Sequence, residues 1–229
     1  MIIWLASYPR SGNTLFRILL NRLRGVHSYS VYNDRIFEER PEVADVVGHM
    51  HAGASIEQMA NSPEIFVVKT HDLPGEDDYP AVYLVRDGRD ALVSYAHFAR
   101  DFESSEAPRD FVSTLRDLVV STDAFGGWGA NVLGWVQRRR GPTAVVKFED
   151  LLADPVLTMD RALAQLPLEP RADGATGVMP SFDELQQQLP QFFRRGRTGV
   201  WRNEMPPEIQ QLFWDKHAQA MDVMGYPRT

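Results

Sequence analysis

Ser7-Tyr8-Pro9-Arg10-Ser11-Gly12-Asn13-Thr14 places hydroxyls, one glycine and one cation directly after the apolar run Ile2-Ile3-Trp4-Leu5-Ala6. The segment that follows, Thr14 to Arg24, has apolar residues at helical spacing. A loop between a strand and a helix N-terminus suits an anion, because the first backbone N–H groups of the helix lack intrahelical acceptors and lie at the positive end of the dipole. The chemistry to expect is binding of phosphate or sulfate. This is not a Walker loop, since Arg10 precedes the only glycine, Gly12, where that motif needs a lysine after a second glycine. A plain polar turn between strand and helix is an equal reading of this loop alone.

Three more segments carry groups suited to an anionic ligand or to proton transfer. In Val67-Val68-Lys69-Thr70-His71 the lysine and histidine alternate at the end of an apolar run, so in extended geometry both side chains leave the same face. A cation then meets a potential base. The plainer alternative is a solvated lysine and a histidine satisfied by neighbouring backbone. In Val82-Tyr83-Leu84-Val85-Arg86-Asp87-Gly88-Arg89-Asp90, Arg86 emerges past a buried run, Asp90 is the candidate N-cap of the next helix, and Ser94 lies near that helix's start. Guanidinium and hydroxyl together suit a phosphate monoester, while an ion pair of Arg86 with Asp87 or Asp90 is equally consistent. Late in the chain, Phe192-Phe193-Arg194-Arg195-Gly196-Arg197-Thr198-Gly199-Val200-Trp201-Arg202 collects cations around two glycines that permit backbone approach to an anion. Its plainer reading is a solvated basic loop.

The elements that must position these groups follow from the apolar runs. Ile2 to Ala6, Ile65 to Val68, Val82 to Val85 and Ala144 to Phe148 are short, rich in β-branched residues and without alternation, which predicts strands covered on both faces. Helical periodicity spans Thr14 to Arg24, Ala91 to Arg100, Asp110 to Val120, Gly129 to Arg139, Leu157 to Leu166 and Pro207 to Met224. The alternation predicts an α/β fold, a central parallel sheet flanked by helices, with ligands at the carboxyl ends of the strands. Leu166 to Gly177 reads as a surface connection and Gln186 to Asn203 as a loop crossing the site.

The 229 residues, 44% of them hydrophobic, suffice for one domain over residues 1–229. A net charge of −7 argues against nucleic acid and anionic membranes as partners, so an anionic ligand must be held by a compact local cluster of cations. With no cysteine, disulfides, thiolate metal sites and a cysteine nucleophile are excluded. The short first apolar run and the lack of any membrane-length segment predict a soluble cytoplasmic protein. His49-Met50-His51 lacks the partner spacing of a metal site and is read as a substrate-side loop; no metal is expected. His97 is read as a surface or packing residue, Arg138-Arg139-Arg140 as the cationic end of a helix, and Glu76-Asp77-Asp78 as a solvated turn.

Taken in order, the segments resemble the sulfotransferases that use 3′-phosphoadenosine 5′-phosphosulfate (PAPS). Tyr8-Pro9-Arg10-Ser11-Gly12-Asn13-Thr14 is similar to the family's Tyr-Pro-Lys-Ser-Gly-Thr-Thr, and Lys69-Thr70-His71 to its strand-end Lys-Thr-His. Arg86 through Tyr95 resembles its Arg-Asp-x-x-Val-Ser-Tyr segment, and Phe148-Glu149-Asp150-Leu151 its Tyr-Glu-Asp-Leu. Arg194 through Arg202 resembles Arg-Lys-Gly-x-x-Gly-x-Trp-Lys. Each match is modest; the ordered set is specific.

The resemblance implies a P-loop-like sulfotransferase architecture and transfer of a sulfuryl group from PAPS to a hydroxyl, phenol or amine of a small-molecule acceptor. It implies His71 as general base, Arg10 stabilising the departing phosphate oxygen and Lys69 assisting at the transferring group. The donor's 5′ end would be held by Arg10, Ser11, Gly12, Asn13 and Thr14, its 3′-phosphate by Arg86, Ser94, Arg194, Arg195 and Gly196, and its adenine by Phe182. Fixed cations would take the place of a metal. Arg10 departs from the usual lysine, keeping the charge but losing the capacity to act as an acid. Leu15 stands where many relatives stack a tryptophan on adenine, and Phe148 lacks a tyrosine's hydroxyl. Acceptor walls are expected at Val31 to Met50 and Phe98 to Phe125. The other readings are a kinase of related fold and a non-catalytic module that binds 3′-phosphoadenosine 5′-phosphate (PAP); oligomeric state is left open.

Overall fold

The computed structural model describes residues 1–51, 53–103, 110–122, 125–167, 177–190, 192–194 and 196–229. Strands β1 (Ile2–Ser7), β2 (Ser28–Ser30), β3 (Phe66–Thr70), β4 (Ala81–Val85) and β5 (Thr143–Lys147) form one sheet in the order β2-β3-β1-β4-β5. Every neighbouring pair is parallel. The chain leaves β1 for the β2–β3 side and then crosses to β4 on the other side of β1, so the strand order reverses there. A crevice beyond the carboxyl end of β1 is the expected ligand position in such a sheet.

Around the sheet lie α1 (Asn13–Arg24), α2 (Arg35–Glu39), α3 (Pro41–Val47), α4 (Ile56–Asn61), α5 (Gly88–Phe98), α6 (Phe111–Val120) and α7 (Gly127–Val136). They are followed by α8 (Phe148–Ala153), α9 (Pro155–Leu163), α10 (Phe182–Gln188), α11 (Trp201–Glu204) and α12 (Pro207–Met224). Alternate strand residues serve the two layers. Ile3 and Leu5 of β1 and Val82 and Leu84 of β4 pack on Phe16, Leu19 and Leu20 of α1 and Met159 of α9. Ala6, Tyr83 and Val85 face the other layer, where Leu92, Leu115, Trp128, Phe213 and Met221 come from α5, α6, α7 and α12. A smaller cluster, with Ile18, Phe37, Val47, Leu185 and Phe193, joins α1, α2, α3 and α10 and walls the crevice.

The four expected strands and six expected helices are present, most of them with shifted ends and α12 with the expected ones. β2 is an additional strand, because Ser28-Tyr29-Ser30 has no apolar run and becomes a strand only by pairing with Val67 to Lys69. α5 starts at Gly88 with Asp87, not Asp90, as N-cap: the Asp87 side chain accepts from the Arg89 N–H at 3.0 Å. A Cβ at Gly88 would stand 2.6 Å from Trp128 and 2.7 Å from Phe213, so this close approach needs a glycine. α10 falls at the start of the expected loop and carries a capping box, Ser181 with Glu184, that the sequence displayed. Arg138 does not form the cationic last turn of a helix, because α7 ends at Val136. It is buried and donates to Asp77 and to the Asp77 and Tyr79 carbonyls, so Asp77 is a structural acceptor rather than part of a solvated turn. Most of the connection expected over Leu166 to Gly177 lies outside the described residues.

The carboxyl-terminal segment is locked to the start of α5 by Arg89. Its guanidinium, 1% exposed, meets Asp87 at 3.0 and 2.7 Å, donates to the Pro227 and Arg228 carbonyls at 2.8 and 2.9 Å, and lies 3.7 Å above the Trp201 ring. Replacing Arg89 by Met leaves the Asp87 carboxylate without its cation in a buried setting. The expected loss in equilibrium urea unfolding is about 3–5 kcal/mol; a loss below about 1 kcal/mol would show that the pair contributes little.

Candidate active site

The loop after β1 turns through two left-handed residues, Arg10 at φ 67° and Gly12 at φ 97°. Gly12 is the N-cap of α1 and, lacking a side chain, makes no side-chain cap hydrogen bond to the first N–H groups of that helix. A Cβ on Gly12 would lie 2.6 Å from the Phe148 ring, which packs on the loop's other side. The Asn13 side chain turns inward, donating to the Leu5 carbonyl at 3.0 Å and to Ser7 Oγ at 3.2 Å, and ties the loop to β1. Ser11 is also buried, and its Oγ has no hydrogen-bond partner among the described residues. Thr14 and Leu15 line the crevice.

His71 stands just beyond β3, across from the end of β1. Its Nδ1 is 2.7 Å from the Ser7 carbonyl oxygen and 3.2 Å from Ser7 Oγ. A carbonyl can only accept, so the shorter contact requires the proton on Nδ1 and leaves the lone pair on Nε2. Tyr32, which sequence reasoning did not single out, holds this histidine from two sides. Its hydroxyl accepts from the His71 backbone N–H at 2.8 Å and donates to Asp72 at 2.9 Å, and its ring stacks on the imidazole at 5.7 Å. Phe125 meets the imidazole edge-on at 5.6 Å, and Asn131 donates to the His71 carbonyl at 2.8 Å. Burial, reinforced by the Lys69 charge, lowers the imidazole pKa to about 3, so the ring is neutral.

Lys69 projects into the same crevice but is engaged. Its ammonium bonds Asp34 at 3.0 and 3.3 Å, just before α2, and sits 5.3 Å from the Tyr32 ring centroid. Behind it, buried Arg17 donates to Ser28 Oγ at 2.7 Å and to His49 Nδ1 at 2.8 Å. His49 also stacks on Phe37 at 4.2 Å, which places it in the wall between β2 and α2.

On the other side, Arg86 donates to the Arg10 carbonyl at 3.3 Å and the Arg197 carbonyl at 3.0 Å and lies 4.6 Å over the Phe148 ring. Its buried Nε has no hydrogen-bond partner among the described residues. It forms no ion pair with Asp87 or Asp90. Asp90 instead accepts from the Gly199 and Trp201 N–H groups at 2.6 and 3.0 Å and so pins the basic loop against α5. Arg10 reaches over the crevice to Ser94 Oγ at 3.2 Å and the Phe192 carbonyl at 3.1 Å. Arg194 faces Glu204 at 3.3–3.4 Å. Gly196, at φ 56°, lies against Phe182, where a Cβ would come within 2.2 Å of the ring. Arg195 lies outside the described residues.

These groups surround one cavity of about 1170 Å³. Among the described residues Arg10, Arg35, Arg40, Lys69, Arg86, Arg194 and Arg197 line it, against the single carboxylate of Asp34. In a chain of net charge −7, this concentration of cations, with the orphaned Arg86 Nε, fits a polyanionic ligand. Beside the basic part, Leu15, Leu151, Pro155, Val156, Met179 and Phe182 give an apolar slot. His71 opens on the same cavity, among Tyr32, Tyr95, Phe98 and Phe125.

A parallel α/β sheet with a glycine-turned loop at its switch point, a basic crevice and a buried histidine is a frame suited to group transfer from an anionic donor. The family described as Sulfotransferase domain matches residues 2–225, and the chain belongs to it. Human Sulfotransferase 1E1 is 26% identical over 93% of this chain and 81% of its own length. Rat Sulfotransferase 1 family member D1 is 22% identical, over 96% of this chain and 83% of its own. The crystal structure of mouse sulfotransferase SULT7A1 complexed with PAP superposes with a TM-score of 0.65 at 19% identity, covering 99% of this chain and 89% of that one. The fold is therefore that of the sulfotransferases, and the chain is a sulfotransferase. Among the described residues no helix is long and apolar enough to cross a membrane.

The site makes stability depend on pH. Burial lowers the pKa of His49 to about 4, of His71 to about 3 and of His217, in α12, to about 4. Unfolded imidazoles titrate near about 6.5, so between there and the folded values the unfolded chain binds more protons. Stability is whole above the unfolded pKa and falls as pH drops. Thermal unfolding should show a constant Tm above neutrality and a falling Tm on acidification through that window, with proton uptake approaching one per imidazole. A Tm flat or rising on acidification would contradict these burial effects.

Proposed function

We propose that this sulfotransferase moves a sulfuryl group from PAPS to a hydroxyl, or an amine, of a small-molecule acceptor, with His71 as general base. The observation that carries the reading is the Nδ1 contact to Ser7, which leaves His71 Nε2 as a proton acceptor on a cavity that also holds the uncapped α1 terminus and the Arg86 cation. PAPS supplies a sulfuryl group on a phosphate leaving group. The backbone N–H groups from Ser11 to Thr14, with the Thr14 hydroxyl, hold its 5′ end. Arg86, Ser94, Arg194, Arg195 and Gly196 hold its 3′-phosphate, and Phe182 with the apolar slot around Leu15 holds its adenine. The slot supports an aliphatic substitute for the tryptophan that Leu15 replaces.

His71 Nε2 takes the acceptor's proton as its oxygen attacks sulfur, while the Ser7 carbonyl keeps the Nδ1 proton and stabilises the imidazolium that forms. A lowered pKa makes His71 a weak base in the free protein; the added negative charge of a bound donor works in the opposite direction. Arg10 and Lys69 stabilise negative charge at the leaving and transferring groups, and alignment of attacking oxygen with leaving oxygen supplies much of the remainder. Arg10 must swing from Ser94 for this, and Lys69 acts from its ion pair with Asp34. Phosphoryl transfer as a kinase is disfavoured because the carboxylates at hand are engaged: Asp34, on the cavity, pairs with Lys69, and Glu149, just after β5, is bonded within the protein. Its two oxygens accept from the Asp87 N–H at 3.1 Å and the Tyr226 hydroxyl at 2.9 Å.

A panel of phenols, alcohols and amines incubated with PAPS, read by mass gain of one sulfuryl group, tests the reading. Phosphorylated product with ATP and magnesium, and none with PAPS, would reverse it. His71→Ala should lower kcat roughly 10²- to 10⁴-fold and leave the Kd for PAP nearly unchanged by calorimetry; lost PAP binding would make His71 a ligand contact instead. Arg86→Ala should weaken PAP by roughly 1.5–3 kcal/mol, and an unchanged affinity would remove Arg86 from the donor site.

A further inference from the structure

Glu204, the last residue of α11, stands where the basic loop meets α5. Its Oε2 accepts from His97 Nε2 at 2.6 Å, and its carboxylate accepts from both terminal nitrogens of Arg194 at 3.3–3.4 Å. The His97 ring packs on Phe111 of α6 with centroids 4.4 Å apart. Burial lowers the His97 pKa, so the ring is neutral and its proton lies on Nε2, toward the carboxylate. Burial works against the Glu204 anion, but the bond from His97 and the Arg194 charge outweigh it and hold its pKa below the usual range. Glu204 is thus a charged acceptor anchored from a rigid helix.

Arg194 needs such an anchor. It lies in a stretch without helix or strand, close to left-handed Gly196 and Gly199, and arginine is among the side chains with most rotamer freedom to lose. Arg194 and buried Arg86 line the same cavity, and the Arg194 charge is felt at Arg86. Arg194 lines the cavity, whereas Glu204 and His97 do not. The carboxylate therefore does not occupy the ligand's space. It grips the terminal nitrogens and leaves Nε–H and an outward N–H to a second anion.

We propose that Glu204, held by His97, is a positioning residue that presents Arg194 to the ribose 3′-phosphate of the donor. Ordering the guanidinium before binding and offsetting its repulsion with Arg86 both favour a nucleotide that carries this phosphate over one that lacks it. The inference rests on the reading of Arg194 as a 3′-phosphate ligand.

Calorimetry with two probes, PAP and adenosine 5′-phosphate, separates the two ideas. Glu204→Gln should weaken PAP roughly 3- to 10-fold and leave adenosine 5′-phosphate unchanged. In an Arg194→Ala background the same substitution should add nothing. His97→Phe, which keeps the ring on Phe111 and removes the donor, should give a smaller loss confined to PAP, and it carries the test if Glu204→Gln does not fold. Unchanged or tighter PAP binding in Glu204→Gln, or equal losses for both probes, overturns the positioning role while Arg194→Ala still lowers the preference for PAP. If Arg194→Ala leaves that preference undiminished, the ligand reading itself fails and the inference with it.

Discussion

The carbonyl of Ser7, where β1 stops, accepts from His71 Nδ1, where β3 has just stopped, and the rest of the site is arranged about this contact. Parallel pairing of Leu5 with Lys69 and Ala6 with Thr70 puts the two strand ends level. A slip of one residue would turn His71 and Lys69 to the opposite face of the sheet. The contact also joins two functions, because Ser7 begins the loop that ends in the uncapped α1 terminus. The proposed proton acceptor and the proposed anion loop are thus built on one strand end.

Cations inside an acidic protein require local support, and the structure supplies it by different means on the two sides of the crevice. Lys69 is held by Asp34, with Arg17 behind, so that face keeps a balanced pair. Among the described residues Arg86 is held by carbonyls and an aromatic face rather than by an ion pair, which keeps its guanidinium for a ligand. Burial lowers its pKa, and the nearby carboxylates, Asp90 first, oppose that effect. A site that stays electropositive among carboxylates concentrates an anion without making the whole surface basic.

The late basic loop is shaped by contacts from its back. Asp90 fastens Gly199 and Trp201, and Arg89 stacks on Trp201 while binding the end of the chain. Residues that sequence reading took for a helix cap or passed over therefore set where the loop's cations stand. Tyr32 does comparable work for His71. Arg89 was assigned no part in the site from its type and spacing, Asp90 was read as a cap, and Tyr32 fell only within an expected acceptor wall.

Much of the fold was legible because hydrophobic periodicity is local. The runs Ile2 to Ala6 and Val82 to Val85, and the helical pattern of Pro207 to Met224, each show their burial within a few residues, and the last has the expected bounds. β2 was not, since Ser28-Tyr29-Ser30 is a strand only beside β3. In the same way the sequence by itself determined which residue types stand at the strand ends, a histidine and a lysine after β3 begins to close, an arginine after β4, a glycine ahead of α1. What only the tertiary structure decided is which atom of each remains available: Nε2 of His71, Nε of Arg86, an ammonium already shared with Asp34. Those outcomes depend on polar contacts between residues separated by 64 positions for Ser7 and His71 and 35 for Asp34 and Lys69. A hydrogen bond tolerates only a few tenths of an ångström in distance, and no local pattern encodes an approach of that kind.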